Sequence, residues 1–351
     1  PDRVGPLDDA PYGAAADLIR GHRSVAIKVG GGARRYPAAV DALVAATGGV
    51  VVLSPGALGV LPDAHPRNMH VGGSKGTLSG NFAMANADLV IVVGSRAVCQ
   101  ADCSGTGFEK AEAVININGD RADAAHYNRT IALVGSIDAV VERLVATLAS
   151  GDLPAAPDRA PWLDACAEQK ARWAELREER CGAAPLDDPV WGRPVLTQPA
   201  AIGVIDGFAR EVDAVKYFDA GDVQANGFQI VADDAPGQTY TDTGASYMGF
   251  AASALLASAI AEEPRYCIAL CGDGSFLMNP QILVDGIAHG VRGVVVVFDN
   301  RRMAAISSLQ IDQYGQDFAT NDSVAVDFVA LAGAVGGVNA LFGGFDGAAL
   351  E

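Results

Sequence analysis

Positive charge is scarce in this chain: 25 lysines and arginines stand against 42 aspartates and glutamates, a formal net charge of −17. A surface of that sign repels phosphate backbones and anionic lipid, which argues against a nucleic-acid or membrane-surface partner. Long apolar runs are also missing, and the longest fall far short of the roughly 20 residues a bilayer-spanning helix needs. No secretory signal pattern opens the chain. The six cysteines (Cys99, Cys103, Cys166, Cys181, Cys267 and Cys271) form no CxxC pair, and no histidine lies at zinc-ligand spacing from them. That composition points to a reducing, cytoplasmic setting. No internal repeat stands out.

What the chain does have is apolar residues in short β-branched runs. Half of its 351 residues are hydrophobic and 19% are charged, enough for two domains with real cores. Residues 1–23, rich in Pro, Gly and Asp, read as a lead-in. Strands are expected at Val25–Val29, Val50–Leu53, Leu89–Val93, Val114–Ile117 and Ile131–Val134, with helices at Pro37–Thr47 and Ile137–Leu148. Strands alternating with helices predict a doubly wound parallel sheet, giving a first domain over residues 1–150. The turn at Gly30-Gly31-Gly32-Ala33-Arg34-Arg35 lacks the third glycine of a dinucleotide fingerprint, and Ser54 stands near the end of the next strand in place of an acid. It reads as a tight strand–helix turn. Asn68-Met69-His70 and Gly72-Gly73-Ser74 could line a nucleotide groove, but read more simply as an ordinary loop.

Residues 151–195 read as a linker carrying a charged, mostly exposed helix over Trp162–Glu179. A second domain over 196–351 begins with Thr197 capping a helix from Pro199. A strand is expected at Val215–Phe218, ending in Asp219-Ala220-Gly221-Asp222. A helix over Tyr247–Ala261, introduced by Thr243-Gly244-Ala245-Ser246, leads into the most informative segment. There, an apolar run (Tyr266–Cys271) meets Gly272-Asp273-Gly274-Ser275; a helix is expected over Phe276–His289, then a second run (Val294–Phe298) ending on Asp299-Asn300. This is a βαβ unit with parallel strands. An irregular stretch (Arg301–Ser323) and a helix over Val326–Val335 complete the reading. The five histidines (His22, His65, His70, His126 and His289) are scattered, and none is assigned to catalysis.

Asp273 and Asn300 leave the carboxyl ends of two parallel strands, the edge where open α/β sheets bind ligands. A carboxylate and an amide oxygen there suit Mg²⁺, which takes its remaining ligands from phosphates and water. Gly272 and Gly274 permit close backbone approach, and Ser275 opens a helix whose free N–H groups favour an anion. The local reading is a Mg²⁺-bridged diphosphate site.

Gly272-Asp273-Gly274, 24 further residues (275–298) and Asp299-Asn300 resemble the diphosphate motif of thiamine diphosphate (ThDP) enzymes of the acetohydroxyacid synthase-like superfamily. Asp299 stands where that motif commonly has its first Asn. Tyr247-Met248-Gly249 is similar to the site of the family's Met, which bends the cofactor into a V. Gly94-Ser95-Arg96 and Leu61-Pro62-Asp63-Ala64-His65-Pro66 resemble its central domain.

The resemblance implies an α/β fold of two doubly wound parallel-sheet domains, without the family's N-terminal pyrimidine-binding domain. It implies Asp273, Asn300 and the Arg302 carbonyl as Mg²⁺ ligands. The cofactor would meet Gly221, Asp222, Val223, Ser246, Met248, Gly272, Gly274, Ser275 and Met303. FAD in the central domain is allowed by the resemblance and not predicted, because Arg96–Asp102 departs from the flavin-binding members. The catalytic acid is expected to be a Glu on an N-terminal domain outside these residues. The chain is accordingly expected to be a fragment, or a subunit working with a separate N-terminal-domain polypeptide, in a homodimer or homotetramer.

The implied reaction is C–C bond cleavage or formation on a 2-oxo acid, as in acetolactate synthase-like decarboxylases and carboligases. Ser246–Phe250 and Asp299-Asn300…Leu309-Gln310 are also similar to the inositol-pathway cyclic dione hydrolases, which implies ring opening of a 1,2-dione as the alternative. Two other classes stay open: a catalytically silent ThDP-binding subunit, and a nucleotide-binding protein using Gly30–Gly32.

Overall fold

A computed structural model describes residues 10–96, 99–103, 106–125, 129–150, 155–242, 244–321 and 324–346. Thr243, His126, the start of the lead-in, part of the linker and Ser323 lie outside the described residues. The chain divides into two compact units, one of residues up to Leu176 with Ala232–Gly237, the other of Arg177–Val231 with the rest.

The first unit begins with helix α1 (Ala10–Gly21), where the sequence suggested only a lead-in. Its Ala15, Ala16 and Ile19 are buried, so a short apolar face outweighs the Pro- and Gly-rich composition around it. Strand β1 (Val25–Val29), helix α2 (Pro37–Thr47) and strand β2 (Val50–Leu53) fall where expected. Pro37 pre-sets the first turn of α2, and Gly48 ends it in a left-handed conformation (φ 65°). Next comes β3 (Asn68–Val71), a buried strand in place of the expected loop. Its Asn-Met-His-Val sequence hides a strand because its polar groups have partners: Asn68 Nδ2 donates to the Leu61 and Pro62 carbonyls at 3.0 and 3.1 Å.

Helix α3 (Leu78–Asn86), unforeseen in the sequence, is capped by the Thr77 hydroxyl. Strand β4 (Leu89–Val93), the one-turn helix α4 (Cys99–Asp102), β5 (Ala113–Asn118), the one-turn α5 (Arg121–Ala124), β6 (Thr130–Val134) and α6 (Ile137–Ala149) follow. All six strands are parallel in the order β3-β2-β1-β4-β5-β6. Helices cover the sheet, so β1 to β5 are buried along their length, as continuous Val/Ile runs require. Helix α7 (Ala160–Cys181) is charged as expected, yet Trp162, Cys166 and Trp173 are buried along it. Trp162 stacks on Phe82 and donates its indole N–H to the Val25 carbonyl.

In the second unit a small antiparallel hairpin, β7 (Leu186–Asp188) and β8 (Arg193–Val195), precedes α8 (Gln198–Glu211), which the Thr197 hydroxyl caps as expected. Strand β9 (Val215–Phe218), helix α9 (Asp222–Ile230) and strand β10 (Thr239–Thr241) follow. The helix expected over 247–261 is two short ones, α10 (Phe250–Ala254) and α11 (Ala257–Ile260), joined by tight turns at Leu255 and Leu256. Strand β11 (Cys267–Gly272) leads to the one-turn α12 (Asp273–Phe276), then α13 (Ile282–Ala288) and β12 (Gly293–Phe298). The single crossover helix expected over 276–289 is thus divided. Pro280, with no N–H to donate, sits between the pieces. The stretch expected to be irregular contains α14 (Ala304–Tyr314), closed by Gly315 at φ 71°, and α15 (Phe328–Gly333) is capped by Asp327. The second sheet is parallel throughout, in the order β10-β9-β11-β12.

Candidate cofactor site at the open sheet edge

The order of the second sheet creates a switch point. From β9 the chain moves outward to β10, then returns to β11 on the other side of β9. Between β9 and β11 the loops therefore diverge, and such a crevice is where open parallel sheets bind ligands. The register aligns the loop starts: Phe218 pairs with Leu270 and Gly272 pairs with Phe298. The Asp219–Asp222, Asp273–Ser275 and Asp299–Arg302 segments consequently leave one edge side by side.

Asp273 is 9% exposed, and the nearby backbone N–H groups of Gly274 and Arg301 partly offset the effect of burial on its carboxyl. The Asp299 side chain lies beside it. Burial raises both carboxyls above the ordinary range, and the Asp273 charge raises Asp299 further. The Arg301 guanidinium offsets part of this charge, its Nε 4.0 Å from Asp299 Oδ2, whereas no cation pairs with Asp273 among the described residues. Asn300 Oδ1 accepts the Arg302 N–H at 3.0 Å and keeps a second lone pair. Among the described residues no group of three or more His, Cys, Asp or Glu side chains converges on a metal position. A cation here would draw on carboxylate, amide and carbonyl oxygens and complete its shell from phosphate and water, as Mg²⁺ does.

The glycines shape the crevice. A Cβ on Gly272 or Gly221 would meet nothing within 4 Å, so open space lies beside both. Gly221 also has φ 91°, which an L side chain rarely adopts. A Cβ on Gly274 would lie 3.4 Å from Met248 Cε, placing that methyl over the Gly-Asp-Gly turn. Met248 lines a groove of about 430 Å³ with Tyr247, Gly249, Phe250, Ser253, Ala254 and Asn279.

Other expected contacts differ in setting. Ser246 has φ 55°, and its hydroxyl donates to Gln224 Oε1 at 3.4 Å. Asp222 opens α9 in its first turn. The Val223 side chain is in the core, leaving its backbone for any ligand. Ser275 is buried within α12, and Met303 is exposed at the start of α14. An open cradle bounded by glycines, beside the buried Asp273 carboxylate, fits a metal-bound diphosphate.

Sequence reasoning missed Asp219. Fully buried, it accepts the Ala220 and Gly249 N–H groups with Oδ1 at 2.9 and 2.8 Å and the Ala251 N–H with Oδ2 at 3.0 Å. It thereby ties the end of β9 to the turn that carries Met248. Its one available signal was position: like Asp273, it is the first residue beyond its strand.

In the first unit, His70 links Asp63 and Ser79: Nε2 lies 3.4 Å from Asp63 Oδ1 and Nδ1 3.2 Å from Ser79 Oγ. Ser79 has no exposure, and its hydroxyl donates to the Met69 carbonyl at 2.8 Å. The connectivity resembles a triad, but burial makes it structural.

Residues 13–144 match the family model of the thiamine pyrophosphate enzyme central domain, and residues 219–344 that of the C-terminal TPP binding domain. The acetolactate synthase isozyme 1 large subunit of Escherichia coli K12 is 27% identical over 326 residues, covering 92% of this chain and 54% of the relative. An acetolactate synthase of Mycobacterium bovis is 29% identical over 330 residues (92% and 52%). A 3D-(3,5/4)-trihydroxycyclohexane-1,2-dione hydrolase of Halalkalibacterium halodurans is 30% identical over 347 residues (91% and 53%). The chain belongs to the thiamine pyrophosphate enzymes. It spans about half the length of the curated relatives it matches. No described helix is long and apolar enough to cross a membrane.

Proposed function

We propose that the second unit holds ThDP through Mg²⁺ and serves C–C bond cleavage or formation on a 2-oxo acid, in the manner of an acetolactate synthase. The observation that carries this reading is the buried Asp273 carboxylate at the switch point, beside Asp299 and the open space at Gly272. When bound, the cofactor supplies an electron sink beside a substrate carbonyl. Asp273, Asn300 and the Arg302 carbonyl would hold the metal. Gly221, Gly272 and Gly274 would admit the diphosphate, with Asp222, Ser275 and the backbone at Val223 around it. Ser246 and Met248 would support the rings, and Met303 would flank them. The working assembly is expected to be a homodimer or homotetramer in the cytoplasm.

Opening of a cyclic 1,2-dione is the second reading. Asp299 favours it, because the Asp-Asn pair and the Leu309-Gln310 that follows are the features similar to the dione hydrolases. Calorimetry on the full-length protein tests the shared claim: ThDP should bind only with Mg²⁺, and Asp273→Asn should weaken binding at least ~10-fold. Equal binding by the variant would sink the site. Pyruvate consumption against ring opening of a cyclic dione then separates the two reactions.

A further inference from the structure

The β7–β8 hairpin lies in a stretch whose composition reads as linker. Leu186, Asp187, Arg193 and Pro194 are exposed, so its strands add little to the core. Its turn nevertheless holds the segment that carries Asn300 and the Arg302 carbonyl. Trp191 Nε1 donates to the Asp299 carbonyl at 3.0 Å. Arg302 donates through both terminal nitrogens to Asp188, at 3.1 and 3.2 Å. The Arg301 guanidinium lies 4.1 Å above the Trp191 ring.

This grip is set in advance. Asp188 Oδ1 also accepts the Val190 and Trp191 N–H groups at 2.8 and 3.2 Å, which fixes the carboxylate before Arg302 meets it. On its other side, Trp191 packs edge-on against Phe345, and the Arg193 guanidinium lies over the same Phe345 ring. The held segment needs holding, because Arg301 has φ 53°, a left-handed conformation unusual for a side chain of its size. A two-pronged Arg–carboxylate pair, an indole donor and a cation–π contact all act within residues 299–302.

We propose that the 186–195 hairpin is a clamp that presets the Asp299–Arg302 loop for the divalent ion, with Asp188 and Trp191 as its positioning residues. The clamp rests on the cofactor reading above. A loop that populates its binding conformation less of the time binds more weakly by that fraction, yet still saturates when ligand is in excess. Loss of the clamp should therefore shift affinity and leave the number of sites unchanged.

Trp191 supplies its own readout, since Trp162 and Trp173 are buried in the first unit and Trp191→Phe isolates the third indole by difference. In the full-length protein, Mg²⁺ titrated with ThDP present should change Trp191 emission. Asp188→Asn and Trp191→Phe should each raise the Mg²⁺ concentration for half-saturation about 10-fold by calorimetry, the loss expected for a group that orients metal ligands. ThDP stoichiometry at excess Mg²⁺ and the far-UV melting temperature should stay at the parent values. Variants with the parent's Mg²⁺ dependence, or variants that lose sites at saturating Mg²⁺, would overturn the clamp while leaving the cofactor reading intact. A parent that binds no ThDP with Mg²⁺ would overturn the reading itself, and the clamp with it.

Discussion

The two sheets each reverse direction once, and the reversals have opposite outcomes. In the first, the chain moves outward from β1 through β2 to β3 and returns at β4, so β1 and β4 flank the switch point. There a Cβ on Gly30 would strike the Gly94 carbonyl oxygen at 2.4 Å, and one on Gly32 would meet it at 2.9 Å. The Gly30 and Gly32 amides donate to the Val93 and Gly94 carbonyls at 2.8 and 3.0 Å. The glycines there let two loops touch. In the second sheet, Gly221 and Gly272 stand beside open space between β9 and β11. A glycine at a switch point can close the crevice or line it, and only its neighbours in space tell which.

Charge follows the same division. Lys28, wholly buried on β1, donates its ammonium to the Gly72 and Leu53 carbonyls at 2.7 and 3.2 Å, with Met84 Sδ at 3.9 Å. The first sheet places a titratable amine of its own beside the carbonyls of the last residue of β2 and the first residue beyond β3. The second instead presents the buried Asp273 carboxylate with no cation paired to it among the described residues, while Asp299 has the Arg301 guanidinium at 4.0 Å.

The sharpest way to break the comparison is to give each switch-point glycine a methyl group. Gly30→Ala must force the β1 and β4 loops apart, and should cost the first unit about 3 kcal/mol in denaturant unfolding. Gly272→Ala has room and an ordinary φ of −71°, so its stability should stay within about 0.5 kcal/mol of the parent. The new methyl would occupy the cradle, and ThDP affinity should fall about 10-fold, or ~1.4 kcal/mol, by calorimetry. Equal destabilisation by the two substitutions would refute the open-against-closed contrast.

A smaller effect concerns Lys28, whose pKa burial lowers to about 7, partly offset by Asp102 and Cys103. The unfolded chain holds that proton up to about pH 10.4 while the folded chain releases it near 7. The folded state is therefore penalised below pH 7, and the penalty is relieved as pH rises between the two values. The stability of the parent should gain on Lys28→Met by about 1 kcal/mol per pH unit across that window, against a one-proton ceiling of ~1.4. A constant difference from pH 7 to 10 would show that Lys28 stays charged.

Much of this was legible along the chain because its causes are local. Val25–Val29, Val50–Leu53 and Leu89–Val93 are strands because continuous β-branched runs suit burial on both faces. Thr197 caps α8 through an atom three residues from its partner. The Gly-Asp-Gly turn and the Asp-Asn pair could be read together because a single crossover separates them. The misreading of β3 fell where distant partners decide, since its polar residues reach carbonyls outside the strand, whereas the division of 276–289 has a local cause in Pro280 that the helical pattern around it masked.

The sequence by itself determined eight of the ten described strands in the two parallel sheets, the parallel α/β class and the identity of the loops carrying Asp273, Asn300 and Met248. Only the tertiary structure decided that Gly30–Gly32 closes one crevice and Gly272 opens another. It also decided that Asp219 holds the Met248 turn 30 residues away, and that Trp191 grips a carbonyl 108 residues further on. The reason is physical. Periodicity and capping act over three or four neighbouring residues, whereas close approach, desolvation and facing charges arise only once separate strands are set side by side.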